Sequence, residues 1–174
     1  SEMCIRDRSS FNQNIGSWDV SNVTNMGGMF YFAEVFNQDI GNWNVSNVTN
    51  MNWMFYPNSD FNQDLGDWDV SNVTSMSNMF GYLSTQNYDA LLNCWSTLEL
   101  QENIYFKASS TYCTGEYARA YMNIVFGWEI VDDGPYMGDD FELCNSNDNT
   151  ESCNNLTILP DSYSSKSLLK ILDI

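Results

Sequence analysis

The chain has 174 residues, enough for one domain with or without a tail, and 43% of them are apolar, so it can bury a core. Its 23 acidic and 6 basic side chains give a net charge of −17, which disfavours nucleic acid and anionic membranes as partners. The absence of histidine excludes imidazole-based triads and histidine-ligated zinc. No apolar run is long enough to span a membrane as a helix, so we expect no transmembrane segment.

Residues 1–10 share nothing with the sequence that follows, and Cys4, Arg6 and Arg8 are out of character with it. We interpret this segment as a sequencing artefact or a disordered leader, and we leave it out of the fold prediction. The chain starts without Met and without a visible signal peptide. We therefore expect it to be an internal fragment of a longer protein.

Residues 11–85 contain one 25-residue repeat three times, beginning at Phe11, Phe36 and Phe61. Its shared pattern is Phe-Asn-Gln-x-x-Gly-x-Trp-x-Val-Ser-Asn-Val-Thr-x-Met-x-x-Met-Phe. A fixed period of this length predicts a solenoid, in which each unit buries its apolar residues against its neighbours. The apolar rhythm, beginning Ile15-x-x-Trp18-x-Val20, is leucine-rich-repeat-like.

Within the repeat, local patterns predict the elements of each unit. Trp18 and Val20 alternate with polar residues, which predicts a short strand. Met26, Met29 and Phe30 have helical spacing, which predicts one helical or 3₁₀ turn. Two further expectations concern columns of equivalent residues. We expect the repeated glycines to take positive φ in a turn: Gly16, Gly41 and Gly66. We expect the repeated tryptophans to lie in the core: Trp18, Trp43 and Trp68.

Residues 86–134 abandon the repeat, as expected of a region that caps one end of a solenoid. Apolar residues from Tyr88 to Leu98 have helical spacing, and residues 103–107 read as a strand. Thr114 is a candidate N-cap for a second helix from Gly115 to Val125, which Gly127 would end. A last strand at residues 128–131 completes the prediction of an α/β C-terminal cap.

Residues 135–174 combine an acidic linker with the truncated start of a C-terminal segment. Cys144 and Cys153 bracket a short polar loop and are candidates for a disulfide. For Cys94 and Cys113 the sequence leaves two alternatives, a bridge or two buried thiols. The loop from Asn145 to Glu151 alternates oxygen-bearing side chains, but it lacks the glycine and the spacing of an EF-hand calcium loop.

Outward positions of stacked units would form ladders with neighbours about 4.8 Å apart. One candidate binding ladder is Asp19, Asn44 and Asp69, in which the central Asn separates two carboxylates. In a second column, Asn14 is followed by Asp39 and Asp64. This pair is the candidate calcium site, against the commoner alternative of water-exposed carboxylates that cap turns. A threonine column, Thr24, Thr49 and Thr74, is interpreted as ordinary strand-edge chemistry.

The string Trp68-Asp69-Val70-Ser71-Asn72-Val73-Thr74-Ser75-Met76, with Met79-Phe80, resembles the repeat of BspA-like bacterial surface proteins. That repeat is also known as a domain of unknown function from mycoplasma and Bacteroidetes, and the resemblance covers residues 11–85. It implies a secreted or surface-anchored protein, and in some members adhesion to host matrix proteins. Residues 166–174 resemble the opening of a Bacteroidetes sorting segment, or belong to an ordinary strand or helix of a following domain.

The sequence thus favours a non-enzymatic, surface-displayed interaction or adhesion module with a protein or glycan ligand and no required cofactor. The alternatives are a fragment of a carbohydrate-active enzyme that uses Asp residues with calcium, and a passive stalk. The residues that all three copies of the repeat share account for the packing of one unit on the next. We therefore expect partner choice to lie in the positions that vary between copies, including the loops that start at Tyr31, Tyr56 and Gly81.

Overall fold

The computed structural model describes residues 8–138. A 3₁₀ turn, Arg8–Ser10, precedes the repeats, which we number unit 1 (residues 11–35), unit 2 (36–60) and unit 3 (61–85). The remaining elements are helix α1 (Thr85–Trp95), strand β1 (Tyr105–Lys107), helix α2 (Glu116–Phe126) and strand β2 (Glu129–Val131). The two strands form a parallel sheet in which Phe106 pairs with Ile130.

Backbone hydrogen bonds join each repeat unit to the next in parallel register. The Thr49 N–H donates to Thr24 O at 2.8 Å, and the Met26 N–H donates to Asn50 O at 2.8 Å. Units 2 and 3 are joined in the same way by Thr74 N to Thr49 O (2.9 Å) and Met51 N to Ser75 O (2.8 Å). One unit therefore satisfies the backbone polar groups of its neighbour, so neither is complete alone.

These inter-unit bonds lie in a different part of the repeat from the predicted strand. Residues 18–20 form no strand, because they are a short link between two reverse turns: Trp18 N–H donates to Ile15 O at 2.9 Å and Val23 N–H donates to Val20 O at 2.8 Å. The ladder instead runs through the Met-Phe segment, where Phe30 N–H donates to Met54 O at 2.9 Å. A chain that passes through consecutive turns can also bury every second side chain. An alternation of apolar and polar residues over only four positions therefore does not distinguish such turns from a strand.

A column of indoles runs through the stack. Trp43 donates its Nε1–H to Ile15 O at 3.2 Å, and Trp68 donates to Ile40 O at 3.1 Å, one unit back in each case. Both rings are buried, as predicted. The prediction is wrong for Trp18, which is 53% exposed, because within the described residues no unit precedes it to cover the ring. In α1, Trp95 continues the column by donating to Leu65 O at 3.2 Å.

The recurring glycines allow close approach between units, and positive φ is not the reason for them. Within residues 8–138 the glycines with positive φ are Gly28, Gly127 and Gly134, so the prediction for the repeated glycine is wrong. A Cβ on Gly16 would lie 2.8 Å from Asp39 O, and one on Gly41 would lie 2.9 Å from Asp64 O. Any larger residue would therefore push the units apart.

The Asn-Gln pair at the start of each unit also links neighbouring units. Asn12 Oδ1 accepts from Asn37 N–H at 3.1 Å and from Gln38 Nε2 at 2.8 Å. Asn37 Oδ1 accepts in the same way from Asn62 N–H at 2.9 Å and Gln63 Nε2 at 2.7 Å. These bonds form a polar ladder along the stack.

Helix α1 covers the far side of unit 3. The Ser84 hydroxyl caps its start by accepting from Asn87 N–H at 3.4 Å, and Tyr88, Leu91 and Trp95 are fully buried. Strand β1 extends the stack through a parallel bridge between Met76 and Phe106. None of the helices within residues 8–138 is long and apolar enough to cross a membrane.

Helix α2 follows the prediction closely and is anchored at both ends. Gly127 ends it with a left-handed φ of 67°. At its start Gly115, and not the predicted Thr114, is the N-cap residue. The buried carboxylate of Asp89 in α1 accepts from the N–H groups of Cys113, Thr114 and Gly115 at 2.8–3.1 Å.

Cys94 and Cys113 are disulfide-bonded, which resolves the alternative that the sequence leaves open. Their neighbours also meet, since Asn93 Nδ2 donates to Thr114 Oγ1 at 3.2 Å. The other disulfide candidate, Cys144 with Cys153, lies outside the described residues, as do the Asn145–Glu151 loop and the C-terminal segment.

Candidate functional site

Position 28 of unit 1 and its equivalents 53 and 78 take the left-handed backbone conformation. Gly28 has φ 66°, Trp53 has φ 58° and Asn78 has φ 50°. Glycine and asparagine adopt this conformation readily, whereas a bulky side chain is strained there. Strain of this kind costs of the order of 1–2 kcal/mol, so Trp53 is the unusual member of the column. Phe32, with φ 60°, is a second bulky residue in the same conformation.

Trp53 and Phe32 belong to a surface group of rings that we call the aromatic cluster: Tyr31, Phe32, Trp53 and Tyr56. Trp53 lies 6.2 Å from Tyr31 and 5.3 Å from Tyr56 between ring centroids. The exposed fractions are 47% for Phe32, 42% for Trp53 and 36% for Tyr56. Two strained residues thus bring their large apolar side chains to the surface together.

The rings of the aromatic cluster stand nearly perpendicular to one another. The interplanar angle is 86° between Tyr31 and Trp53, 80° between Trp53 and Tyr56, and 74° between Tyr31 and Phe32. Core rings behave differently: Phe30, Phe55 and Phe80 stack nearly parallel with centroids 5.4 and 5.5 Å apart. The parallel stack fills the interior, whereas the perpendicular cluster keeps part of its ring surface exposed to a ligand.

The ladder between units 1 and 2 holds the aromatic cluster in place. Gly28 N–H donates to Asn52 O at 2.8 Å, and Phe32 N–H donates to Tyr56 O at 3.4 Å. The Trp53 N–H donates to Ser77 O in unit 3 at 3.0 Å. The backbone that bears these rings is therefore fixed on both sides of unit 2.

A buried asparagine fixes the loop that follows Tyr56. Asn58 is fully buried, and its Nδ2 donates to Phe36 O at 2.9 Å. Its Oδ1 accepts from Asp60 N–H at 2.8 Å and from Phe61 N–H at 3.0 Å. Because all its polar atoms are engaged, Asn58 is a positioning residue for this side of the cluster.

The Asp19, Asn44 and Asp69 ladder is present at the surface, and each side chain is engaged locally. The Oδ1 atom of each accepts from the backbone N–H and the hydroxyl of the serine two residues later, at 2.6–3.2 Å. The hydroxyl of Ser21, and then its backbone N–H, lower the pKa of Asp19. These side chains therefore stabilise turns, and the exposed ladder remains a candidate for binding.

In the second column, Asp39 and Asp64 cap turns, as the alternative to calcium binding predicts. Asp39 Oδ1 accepts from Gly41 N–H at 3.0 Å, and Asp64 Oδ1 accepts from Gly66 N–H at 2.9 Å. Within residues 8–138 no three Cys, Asp or Glu side chains lie together in a way that could hold a metal ion. Asp39 and Asn14 do border a shallow cleft of about 590 Å³, with Gly16, Ser17, Gln38 and Asn42.

The sequence contained a partial signal for the aromatic cluster. Tyr31 and Tyr56 begin two of the loops that were expected to carry partner choice, and both belong to the cluster. Sequence reasoning missed Trp53 because it lies inside the Met-x-x-Met motif, whose spacing predicts only one helical or 3₁₀ turn. The change from Gly28 to Trp53 to Asn78 at one position is the signal that identifies it.

A protein-family model described as "Mycoplasma protein of unknown function, DUF285" matches residues 1–113, which include units 1 to 3, helix α1 and strand β1. No curated protein and no solved structure matches the chain. The family match covers more than half of the sequence, and it contains every residue of the aromatic cluster. The chain therefore belongs to the mycoplasma family of unknown function DUF285.

Proposed function

We propose that the chain is a non-enzymatic interaction module that binds its ligand with the aromatic cluster. The observation that carries this proposal is Trp53, a bulky residue in left-handed backbone whose side chain is 42% exposed. Strain and exposure are both unfavourable for folding, and strained residues concentrate at functional sites. Selection for binding accounts for a residue that folding alone disfavours.

The scaffold for this surface is, on our proposal, a leucine-rich-repeat-like solenoid over residues 11–85 with an α/β cap over residues 86–134. Its support is the regular 25-residue interval of the inter-unit bonds, such as Thr49 N to Thr24 O at 2.8 Å. Units that are fixed to one another present a rigid surface, which lowers the entropy that binding must overcome.

The proposed setting is the bacterial cell surface or the extracellular space, in a protein of the BspA-like type. Two observations support it. The family match covers the repeats, and Cys94 and Cys113 are disulfide-bonded. Disulfides persist in oxidising compartments and are rare in the cytosol of most organisms. Adhesion to a protein or glycan of a host matrix is the role that fits this setting.

The binding role requires no cofactor. The enzymatic alternative has less support, because Asp39 and Asp64 each accept a backbone N–H within their own turn. A general acid or nucleophile would instead need a second carboxylate held at catalytic distance across a substrate groove.

Binding measurements on the full chain test the proposal. Matrix proteins and glycans are immobilised as a panel, and the unaltered chain is compared with Trp53→Asn. We expect at least one ligand to bind the unaltered chain and to lose about tenfold in affinity with the variant, a typical effect for an aromatic anchor. The matched control is Tyr117→Ala, which removes an aromatic ring that is 54% exposed on α2, away from the repeats.

Two results would contradict the proposal. One is equal binding of every ligand by the unaltered chain and by Trp53→Asn. The other is no binding to any member of the panel, which would favour the passive-stalk alternative.

A further inference from the structure

We propose that the ligand of the aromatic cluster is a basic segment of a partner protein, whose arginine or lysine side chains lie against the faces of Trp53 and its neighbours. This inference rests on the proposed function and names the chemistry of its ligand. The described structure supplies two independent arguments, one from ring geometry and one from charge.

The geometry of the rings suits a cation. The face of an aromatic ring carries a negative electrostatic potential, and tryptophan is the strongest cation–π partner among the side chains. Tyr31 and Tyr56 pack against Trp53 at interplanar angles of 86° and 80°, so neither tyrosine ring is coplanar with the indole. A planar sugar platform would require rings that lie side by side in a common plane. The two edge-to-face contacts hold the indole in place while 42% of Trp53 stays exposed, so a guanidinium or ammonium group can lie against its open surface.

The charge of the repeats is complementary to a basic segment. Residues 11–85 contain seven carboxylates and neither Lys nor Arg. Two of these carboxylates, Glu34 and Asp60, are exposed in the loops that follow Phe32 and Tyr56. Acidic groups beside an apolar cluster steer a cationic partner toward it and disfavour anionic ones.

The local structure also leaves the cluster without a basic partner from the repeats themselves. Within residues 8–138 the basic side chains are Arg8, Lys107 and Arg119. Arg119 is engaged in the cap, where its Nε donates to Asp132 at 2.6 Å. Its guanidinium also lies 5.6 Å from the centre of the Tyr112 ring, which shows the same type of contact inside this fold.

The test uses the full chain with a synthetic arginine-rich peptide and a matched peptide in which citrulline replaces each arginine. Citrulline keeps the shape of arginine and removes its charge. We expect the arginine peptide to bind, the citrulline peptide to bind about tenfold more weakly or not at all, and Trp53→Asn to lose about tenfold in affinity for the arginine peptide. The affinity of the unaltered chain should also fall as salt is raised.

Charge variants separate local from overall electrostatics. Glu34→Gln and Glu102→Gln change the net charge equally, but only Glu34 follows the cluster directly along the chain. Glu102 is exposed between α1 and β1, outside the three repeat units. We expect Glu34→Gln to weaken binding of the arginine peptide severalfold and Glu102→Gln to change it less than twofold.

Three outcomes would overturn the inference. The first is equal affinity of Trp53→Asn and the unaltered chain for the arginine peptide, which would indicate non-specific attraction to the acidic surface. The second is preferential binding of free tetramethylammonium or choline over the peptide. The third is Trp53-dependent binding of a neutral glycan without binding of the peptide; in that case the proposed function stands and only its ligand class is wrong. If no ligand depends on Trp53, both proposals fail.

Discussion

Trp53 shows at the level of one residue how a repeat can be specialised without losing its fold. The backbone at this position is left-handed in all three units, and it holds Gly28, Trp53 or Asn78. The conformation is therefore set by the stack, and the side chain is accommodated to it. Only tryptophan gives this position a large exposed ring.

We predict that Trp53→Asn leaves the chain at least as stable as the unaltered protein. Relief of left-handed strain is worth about 1–2 kcal/mol, and loss of the ring contacts to Tyr31 and Tyr56 offsets about 1 kcal/mol of it. Urea unfolding measures the difference. The matched control is Trp43→Asn, which removes a buried ring that donates to Ile15 O at 3.2 Å and should cost about 3 kcal/mol or more. Equal destabilisation by the two substitutions would contradict the strain argument.

Asp89 is the residue on which the start of α2 depends. Its carboxylate is 8% exposed and accepts from three consecutive N–H groups, those of Cys113, Thr114 and Gly115. We predict that Asp89→Ala lowers the free energy of unfolding by about 3 kcal/mol, because these charge-assisted bonds are lost in a buried place. Asp89→Asn keeps one acceptor oxygen and should cost less. Thermal or urea unfolding checks both, with exposed Asp69→Asn as a control that should be nearly neutral.

At the level of elements, α1, α2 and β2 are joined through one carboxylate. Asp132, just after β2, accepts from Tyr88 Oη at 2.9 Å and from Arg119 Nε at 2.6 Å. Burial, and then the charge of Asp132, raise the pKa of Tyr88 above the ordinary 10.0. Burial also raises the pKa of Tyr112.

This network predicts a loss of stability in alkali. Tyr88 stays protonated in the folded protein at a pH where it ionises in the unfolded chain, so the unfolded state binds fewer protons above pH 10.0 and stability falls as pH rises further. Below that pH the contribution of Tyr88 is fully present. Tyr88→Phe should flatten the alkaline slope and cost about 1 kcal/mol at neutral pH through the lost hydrogen bond. Urea unfolding between neutral and alkaline pH measures this, with Tyr117→Phe on the exposed face of α2 as the control. An unchanged slope for Tyr88→Phe would contradict the account.

The sequence predicts an element best where several independent features indicate the same structure. Helix α2 has apolar periodicity and Gly127 at its end, and its observed bounds, Glu116–Phe126, differ by one residue from the prediction. The strand expected at Trp18 and Val20 rested on alternation alone, and in the structure these residues lie between two reverse turns. The role of Gly16 could not be inferred, because its constraint comes from Asp39 O in the next unit, 2.8 Å from where a Cβ would lie. Local pattern does not reveal a contact made 23 residues away along the chain.

The candidate site was harder to predict for the same reason. Its loops could be located from variation between copies, and Tyr31 and Tyr56 lie in them. The contacts of Tyr31 and Tyr56 with Trp53 depend on how neighbouring units are aligned, and the sequence of a single repeat does not reveal that alignment. The exposed carboxylates, in contrast, were identified correctly as surface residues, since their polarity and position in the repeat are enough to place them.

At the level of the whole molecule, the disulfide ties α1 to the loop before α2. We predict that reducing the Cys94–Cys113 bridge lowers the free energy of unfolding by about 3 kcal/mol, because the unfolded chain gains the freedom of a loop of about 20 residues. Urea unfolding with and without a thiol reductant measures the change. The double variant Cys94→Ser/Cys113→Ser should respond little to reductant, which separates this bridge from the remaining cysteines. Equal unfolding of the unaltered chain in both conditions would contradict the prediction.

The column of indoles has a consequence for how unfolding of this protein could be observed. Each buried indole N–H of this column crosses one boundary: Trp43 reaches unit 1, Trp68 reaches unit 2, and Trp95 in α1 reaches unit 3. Hydrogen exchange at these three indoles, resolved by NMR, would therefore report the opening of three successive boundaries separately. The three indoles are intrinsic probes, so the order in which the boundaries open during unfolding can be measured without introducing a label.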